Sequence, residues 1–128
     1  MPKYQMTVSE KQAEILVRAL DIFSRIGLGQ FEEVLQVYDA NLKLSYEQRE
    51  QIRAGLVIAK GAAGHPPNGS YGIHNPEVRE DFRAAFDVMQ AVRHQLAQDK
   101  SHAFRGPVAQ DTPHKIGKEN LPEITKAG

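Results

Sequence analysis

From Ala13 onward, apolar residues return every three or four positions: Ala13, Leu16, Val17, Leu20, Phe23 and Ile26, with Ala19 and Ile22 widening the stripe. Lys11, Glu14, Arg18, Asp21 and Arg25 occupy the opposite side. This 3.6-residue period predicts an amphipathic helix of about five turns. The run Thr7-Val8-Ser9-Glu10 reads as its capping box, in which the Thr7 hydroxyl accepts from a first-turn amide and Glu10 reaches back. Gly27 and Gly29 predict its end, because glycine adopts the left-handed backbone that closes many helices.

A shorter helix is predicted over Gln30 to Tyr38, where Phe31, Val34, Leu35 and Tyr38 share one face, and Asp39-Ala40-Asn41 is read as its break. The third helix starts at Ser45, with Gln48 completing a second capping box. Ile52, Leu56 and the pair Ile58-Ala59 form its apolar side, and Lys60 and Gly61 mark its end. Gly55 weakens this helix by about 1 kcal/mol relative to alanine, which a close helix crossing would explain. Asn75 as N-cap and Pro76 as first helical residue open the fourth helix. Val78, Phe82, Ala85, Met89, Val92 and Leu96 then form a narrow seam, extended by Phe86, of the kind that lines bundle and coiled-coil interfaces. Periodicity stops at Asp99. The expected organisation is therefore all-α: a compact bundle of three longer helices and one short one over residues 1–98, then an extended or disordered tail over 99–128, tied down if at all at Phe104, Val108 and Ile116. The seam on the fourth helix also favours a homo-oligomer.

Composition narrows the chemistry. At 128 residues the chain suits one domain. Lys plus Arg and Asp plus Glu balance at 16 each, which argues against bulk capture of nucleic acid or an acidic membrane while leaving room for a local anion pocket. The absence of cysteine removes disulfides, thiolate catalysis and cysteine-bound zinc. The opening residues MPKYQMTVSEKQ lack an apolar core, so no secretory leader is expected, and no apolar run is long enough to span a membrane. Five histidines, at 65, 74, 94, 102 and 114, never fall at i, i+4, so no metal is expected. Neither GxSxG nor a GxGxxG or Walker pattern occurs. The carboxylate pairs Glu32-Glu33 and Glu80-Asp81 point in different directions on a helix. No catalytic residue and no cofactor is therefore assigned.

The segment "PPNGSYGIHNPEV", residues 66–78, carries the candidate binding chemistry. Gly69 and Gly72 permit close backbone approach, Ser70 supplies a hydroxyl, Tyr71 a stacking surface and His74 a ring donor, ahead of the helix start at Asn75. Arg79 and Arg83, spaced i, i+4, can lie on one edge of the fourth helix and bind phosphate in a fork geometry. Acidic residues in that first turn work against an anion on the helix axis. The alternative is that Pro66, Pro67 and the glycines only shape a turn, with Tyr71 and Ile73 packed on the core. A second glycine-bearing corner, "SRIGLGQFEE" at residues 24–33, places Arg25 beside another helix start. If the two corners lie on the same side they can form one pocket.

These two stretches resemble a family of small phage and prophage proteins. The shared pattern is LSEKQAxxLVRALDxxSRIGxGQFEE, here Ser9 to Glu33, with GSYGIHNPEV…AVRHxL, here Gly69 to Leu96; Val8 replaces the leucine before Ser9. The resemblance spans most of residues 7–97 and leaves out the tail. It implies a cytoplasmic protein of an infected or lysogenic bacterial host that counters bacterial defence, either by sequestering a nucleotide signal or by binding a defence protein. The leading expectation is a non-enzymatic sponge for a phosphate-bearing small molecule, such as a cyclic nucleotide or an ADP-ribose-like signal, held by Ser70, Tyr71, Gly72, His74, Asn75, Arg79 and Arg25. The alternative is a protein-binding inhibitor or adaptor acting through the fourth-helix face and the tail.

Overall fold

The computed structural model describes residues 2–66, 68–98 and 112–127. Four helices are found among them, and no strand: α1 (Glu10–Gly27), α2 (Glu33–Leu42), α3 (Tyr46–Ala62) and α4 (Glu80–Gln98). The expected all-α class, with three longer helices and one short one, is what forms. By contact density the chain divides into two compact units, Met1–Asp21 with Ala84–Gly128, and Ile22–Arg83. α1 and α4 each contribute residues to both.

In the first unit, Ala13 and Val17 of α1 pack with Met89 and Val92 of α4, and Leu20, Phe86, Val88, Leu96 and Ile124 close around them. Met89 is 1% exposed. The seam residues Met89 and Val92 are thus buried within the chain itself, by its own α1 and by Ile124 of the tail, and Ala85 is buried as well. The described part of the tail has no helix or strand, yet it is anchored. The buried Asp87 carboxylate accepts from the amides of Ile116 and Gly117, both at 2.8 Å. The Gln90 side-chain amide donates to the His114 carbonyl at 2.8 Å and accepts from the His114 amide at 3.2 Å. Of the three expected tie points, Ile116 is held through its backbone, while Phe104 and Val108 lie outside the described residues.

The second unit is built on two helix ends that close in the same way. At the end of α1, Gly29 has φ +95°, its amide donates to Ile26, and the Gln30 amide reaches back to Arg25. At the end of α3, Gly64 has φ +94°, its amide donates to Gly61, and the His65 amide reaches back to Lys60. This pair of bonds around a left-handed residue is the Schellman motif, which satisfies carbonyls that have no partner within the helix. The backbone at Gly29 needs glycine twice over, because a Cβ there would lie 2.6 Å from the His65 ring.

Four expectations on helix bounds are corrected. The cap of α1 is Ser9 with Gln12, not Thr7 with Glu10: the Gln12 amide donates to the Ser9 hydroxyl and the Ser9 amide to the Gln12 side chain. α2 runs through Asp39-Ala40-Asn41 to Leu42 and ends at Lys43, itself left-handed at φ 48°. It also starts late, because residues 30–32 are taken up by the turn that leaves Gly29. α3 continues past Gly61 to Ala62, and the Ser45–Gln48 capping box forms as expected. Asn75 does not cap α4. Its side chain accepts from the Glu77 amide at 2.8 Å and its carbonyl from the Val78 amide at 3.0 Å, making a separate turn before α4 begins at Glu80.

Candidate binding pocket

The two glycine-bearing corners meet inside the second unit. The Tyr71 amide donates to the Leu28 carbonyl at 2.7 Å, and the His65 ring lies edge-on to Tyr71, with centroids 4.8 Å apart, and to Phe31, 6.1 Å away. His65 therefore fills the space where the corners touch, between two aromatic rings and over Gly29. The loop behind it is held from α4. Arg83 donates to the Ile73 carbonyl at 3.0 Å and, through its other nitrogen, to the carbonyl of Asn75. That use of the guanidinium makes Arg83 a backbone clamp.

Beside this contact, on one face of α3, is a pocket of about 370 Å³ lined by Glu32, Arg53, Leu56, Val57, Lys60, Asn68, Gly69 and Ser70. Arg53, Leu56, Val57 and Lys60 fall at i, i+3, i+4 and i+7, so a single helical face supplies the floor. Its basic ends are about 10 Å apart along the axis, with the two apolar side chains between them. The opposite wall is the loop at 68–70 and Glu32, which precedes α2. Gly69 is needed there: its amide donates to the Pro66 carbonyl at 3.2 Å, and a Cβ would lie 2.5 Å from the Pro66 ring.

Lys60 is the unusual member. Its side chain is 4% exposed, and its ammonium is paired with the carboxylate of Glu32 at 3.7 Å. That separation is an ion pair without a hydrogen bond, since an N–H···O bond spans about 2.7–3.2 Å. A buried ammonium with three donors is costly unless hydrogen-bonded acceptors surround it. Arg53, by contrast, is half exposed and already paired with Glu50 one turn back. The Glu32 carboxylate makes no cap bond to α2 and is 56% exposed, so it borders the pocket without a structural duty on its own helix.

Of the seven residues expected to bind a ligand, Ser70 lines this pocket. The Tyr71 ring packs on His65, and its amide donates to the Leu28 carbonyl. Gly72 is exposed, has open space around it, and its carbonyl accepts from the Asn75 amide. His74 is exposed, and Asn75 is occupied by its own turn. Arg79 is ion-paired with Asp81 at 3.2 Å and lies 5.9 Å over the Phe82 ring. Arg25 is bound to Gln30 at 3.1 Å and paired with Glu33 at 3.6 Å. Pro67 lies outside the described residues. At the start of α2 the first amides are already used: Glu33, Val34 and Leu35 donate to Gln30, Phe31 and Glu32.

Sequence reasoning passed over Glu32, Arg53 and Lys60. The 53/56/57/60 spacing was available as a signal, but Lys60 there reads as an ordinary basic residue of a last helical turn. Among the described residues no group of three His, Asp or Glu side chains is arranged to hold a metal ion, and no helix is long and apolar enough to cross a membrane. Comparison with known proteins finds no matching family, no similar curated protein and no similar solved structure.

Proposed function

We propose that the protein is a non-enzymatic binding protein that captures a phosphate-bearing small molecule, with Lys60 as the anchor for the phosphate. The observation that carries this reading is the Lys60 side chain, 4% exposed and paired with Glu32 at 3.7 Å, which lines a pocket large enough for a nucleotide-sized ligand. A phosphate supplies acceptors at hydrogen-bond distance from the ammonium, closer than the Glu32 carboxylate at 3.7 Å, and Arg53 and the Ser70 hydroxyl stand on the same pocket to share its charge. Capture needs no nucleophile or base. The resemblance to phage and prophage proteins fits this reading with a role: stoichiometric removal of a cyclic nucleotide or ADP-ribose-like signal used in bacterial defence, in the host cytoplasm.

The test is calorimetric and thermal titration of the full chain with cyclic dinucleotides, cyclic trinucleotides and cyclic ADP-ribose isomers, alongside Lys60→Met. At least one ligand class raises the melting temperature of the native chain, and the response is lost in Lys60→Met. No shift with any of them at high excess, or an undiminished shift in the variant, removes the proposal.

A further inference from the structure

We infer that Glu32 makes the pocket selective for phosphate esters that carry hydroxyl groups close to the phosphate, the sugar phosphates and ribonucleotides, over phosphates on a bare apolar chain; this rests on the phosphate reading above. Three observations converge. The Glu32 carboxylate lines the same pocket as Lys60, 3.7 Å from its ammonium, so a phosphate bound at Lys60 has this carboxylate beside it. Two anions side by side repel, and the arrangement is favourable only if the ligand places hydrogen-bond donors toward Glu32. A carboxylate only accepts, and vicinal hydroxyls are the donors that a phosphorylated sugar offers next to its phosphate. The Glu32 carboxylate is also available for this: the residue stands at the N-cap of α2, but its side chain makes no cap bond there. Finally, Leu56 and Val57 are the only apolar lining side chains among the described residues, and no aromatic ring lines the pocket. A base has no stacking partner there, so discrimination falls on the polar groups near the phosphate.

The experiment measures binding of ribose 5-phosphate and of n-pentyl phosphate to the full chain by calorimetry. Both carry five carbons and one phosphate. The alkyl chain is the stronger competitor on hydrophobic grounds, since Leu56 and Val57 reward it, so a preference for the sugar reports the hydroxyls. The native chain is expected to bind ribose 5-phosphate at least tenfold more tightly than pentyl phosphate. Glu32→Gln is expected to move the two affinities in opposite directions, weakening the sugar phosphate and strengthening the alkyl phosphate, because it removes both the acceptor charge and the repulsion. General damage to the fold would weaken both. Glu32→Asp, which keeps the charge on a shorter arm, retains part of the preference. Equal binding of the two ligands by the native chain, or an unchanged ratio in Glu32→Gln, overturns the selectivity while leaving phosphate capture standing. Failure of both phosphates to bind overturns capture and the selectivity with it.

Discussion

At Gly29 and Gly55 the same residue type has opposite roles. Gly29 is left-handed, at φ +95°, and its missing side chain makes room for the His65 ring. Gly55 has ordinary helical backbone inside α3, and a Cβ there would meet nothing within 4 Å. Its expected role at a close helix crossing therefore finds no support in the chain's own packing. Two alanine substitutions separate the cases in urea denaturation. Gly29→Ala lowers stability by about 1–3 kcal/mol, from backbone strain plus displacement of the imidazole. Gly55→Ala raises it by about 0.5–1 kcal/mol, because alanine is the better helix former and has less unfolded-state freedom to lose. Lys60 belongs to the same scale. Its burial with one distant carboxylate is poorly compensated, and the Glu32 partner is exposed enough to be solvated alone. Replacing a buried cation by an apolar side chain of similar length is often neutral or stabilising. Lys60→Met therefore keeps or raises the melting temperature in the absence of ligand, which separates its cost in binding from any cost in folding.

At the scale of elements, three helix-start patterns were legible and met three fates. Ser45 with Gln48 formed its box, the Gln48 amide donating to the Ser45 hydroxyl at 3.1 Å. Ser45→Ala costs about 1 kcal/mol in thermal denaturation, while Thr7→Ala, outside α1 and exposed, leaves stability unchanged. For α1 the chain holds two overlapping capping-box patterns, Thr7 to Glu10 and Ser9 to Gln12, and local sequence permits both. Asn75-Pro76 has every local feature of a helix start, yet the Asn75 carbonyl is engaged by Val78 and by Arg83. An interaction from eight residues away thus takes part in fixing a turn there. Arg83→Met removes two hydrogen bonds to half-buried backbone, and the expected result is a loss of about 1–3 kcal/mol with faster hydrogen exchange at Asn75 and Val78.

For the whole molecule, the tail was expected as a separate extended or disordered segment, and its described part is fastened to α4. Asp87, 3% exposed, holds two consecutive amides, and Gln90 reads both backbone groups of His114. Only backbone groups are bound, so no apolar pattern in the tail announces the contact. Asp87→Asn exchanges a carboxylate for an amide that can accept from one of the two N–H groups; it is expected to lower the melting temperature and to speed hydrogen exchange at Ile116 and Gly117 more than elsewhere. What the sequence by itself determined is the number and kind of helices, the stripes that bury Ala13, Val17, Met89 and Val92, and the glycine stop of α1, because those depend on periodicity and on backbone freedom within a few residues; Phe23, Tyr38 and Ile58, read as inward-facing from the same periodicity, are 47%, 52% and 74% exposed. Tertiary structure alone decided which polar groups are consumed and which remain. Arg25, Arg79 and Arg83 looked available and are engaged by Glu33, Asp81 and loop carbonyls, whereas Lys60 looked ordinary and is buried beside a pocket. Apart from Arg79 and Asp81, which are two residues apart, these pairings and the burial of Lys60 bring together residues from 5 to 28 positions apart, and no short-range spacing encodes them.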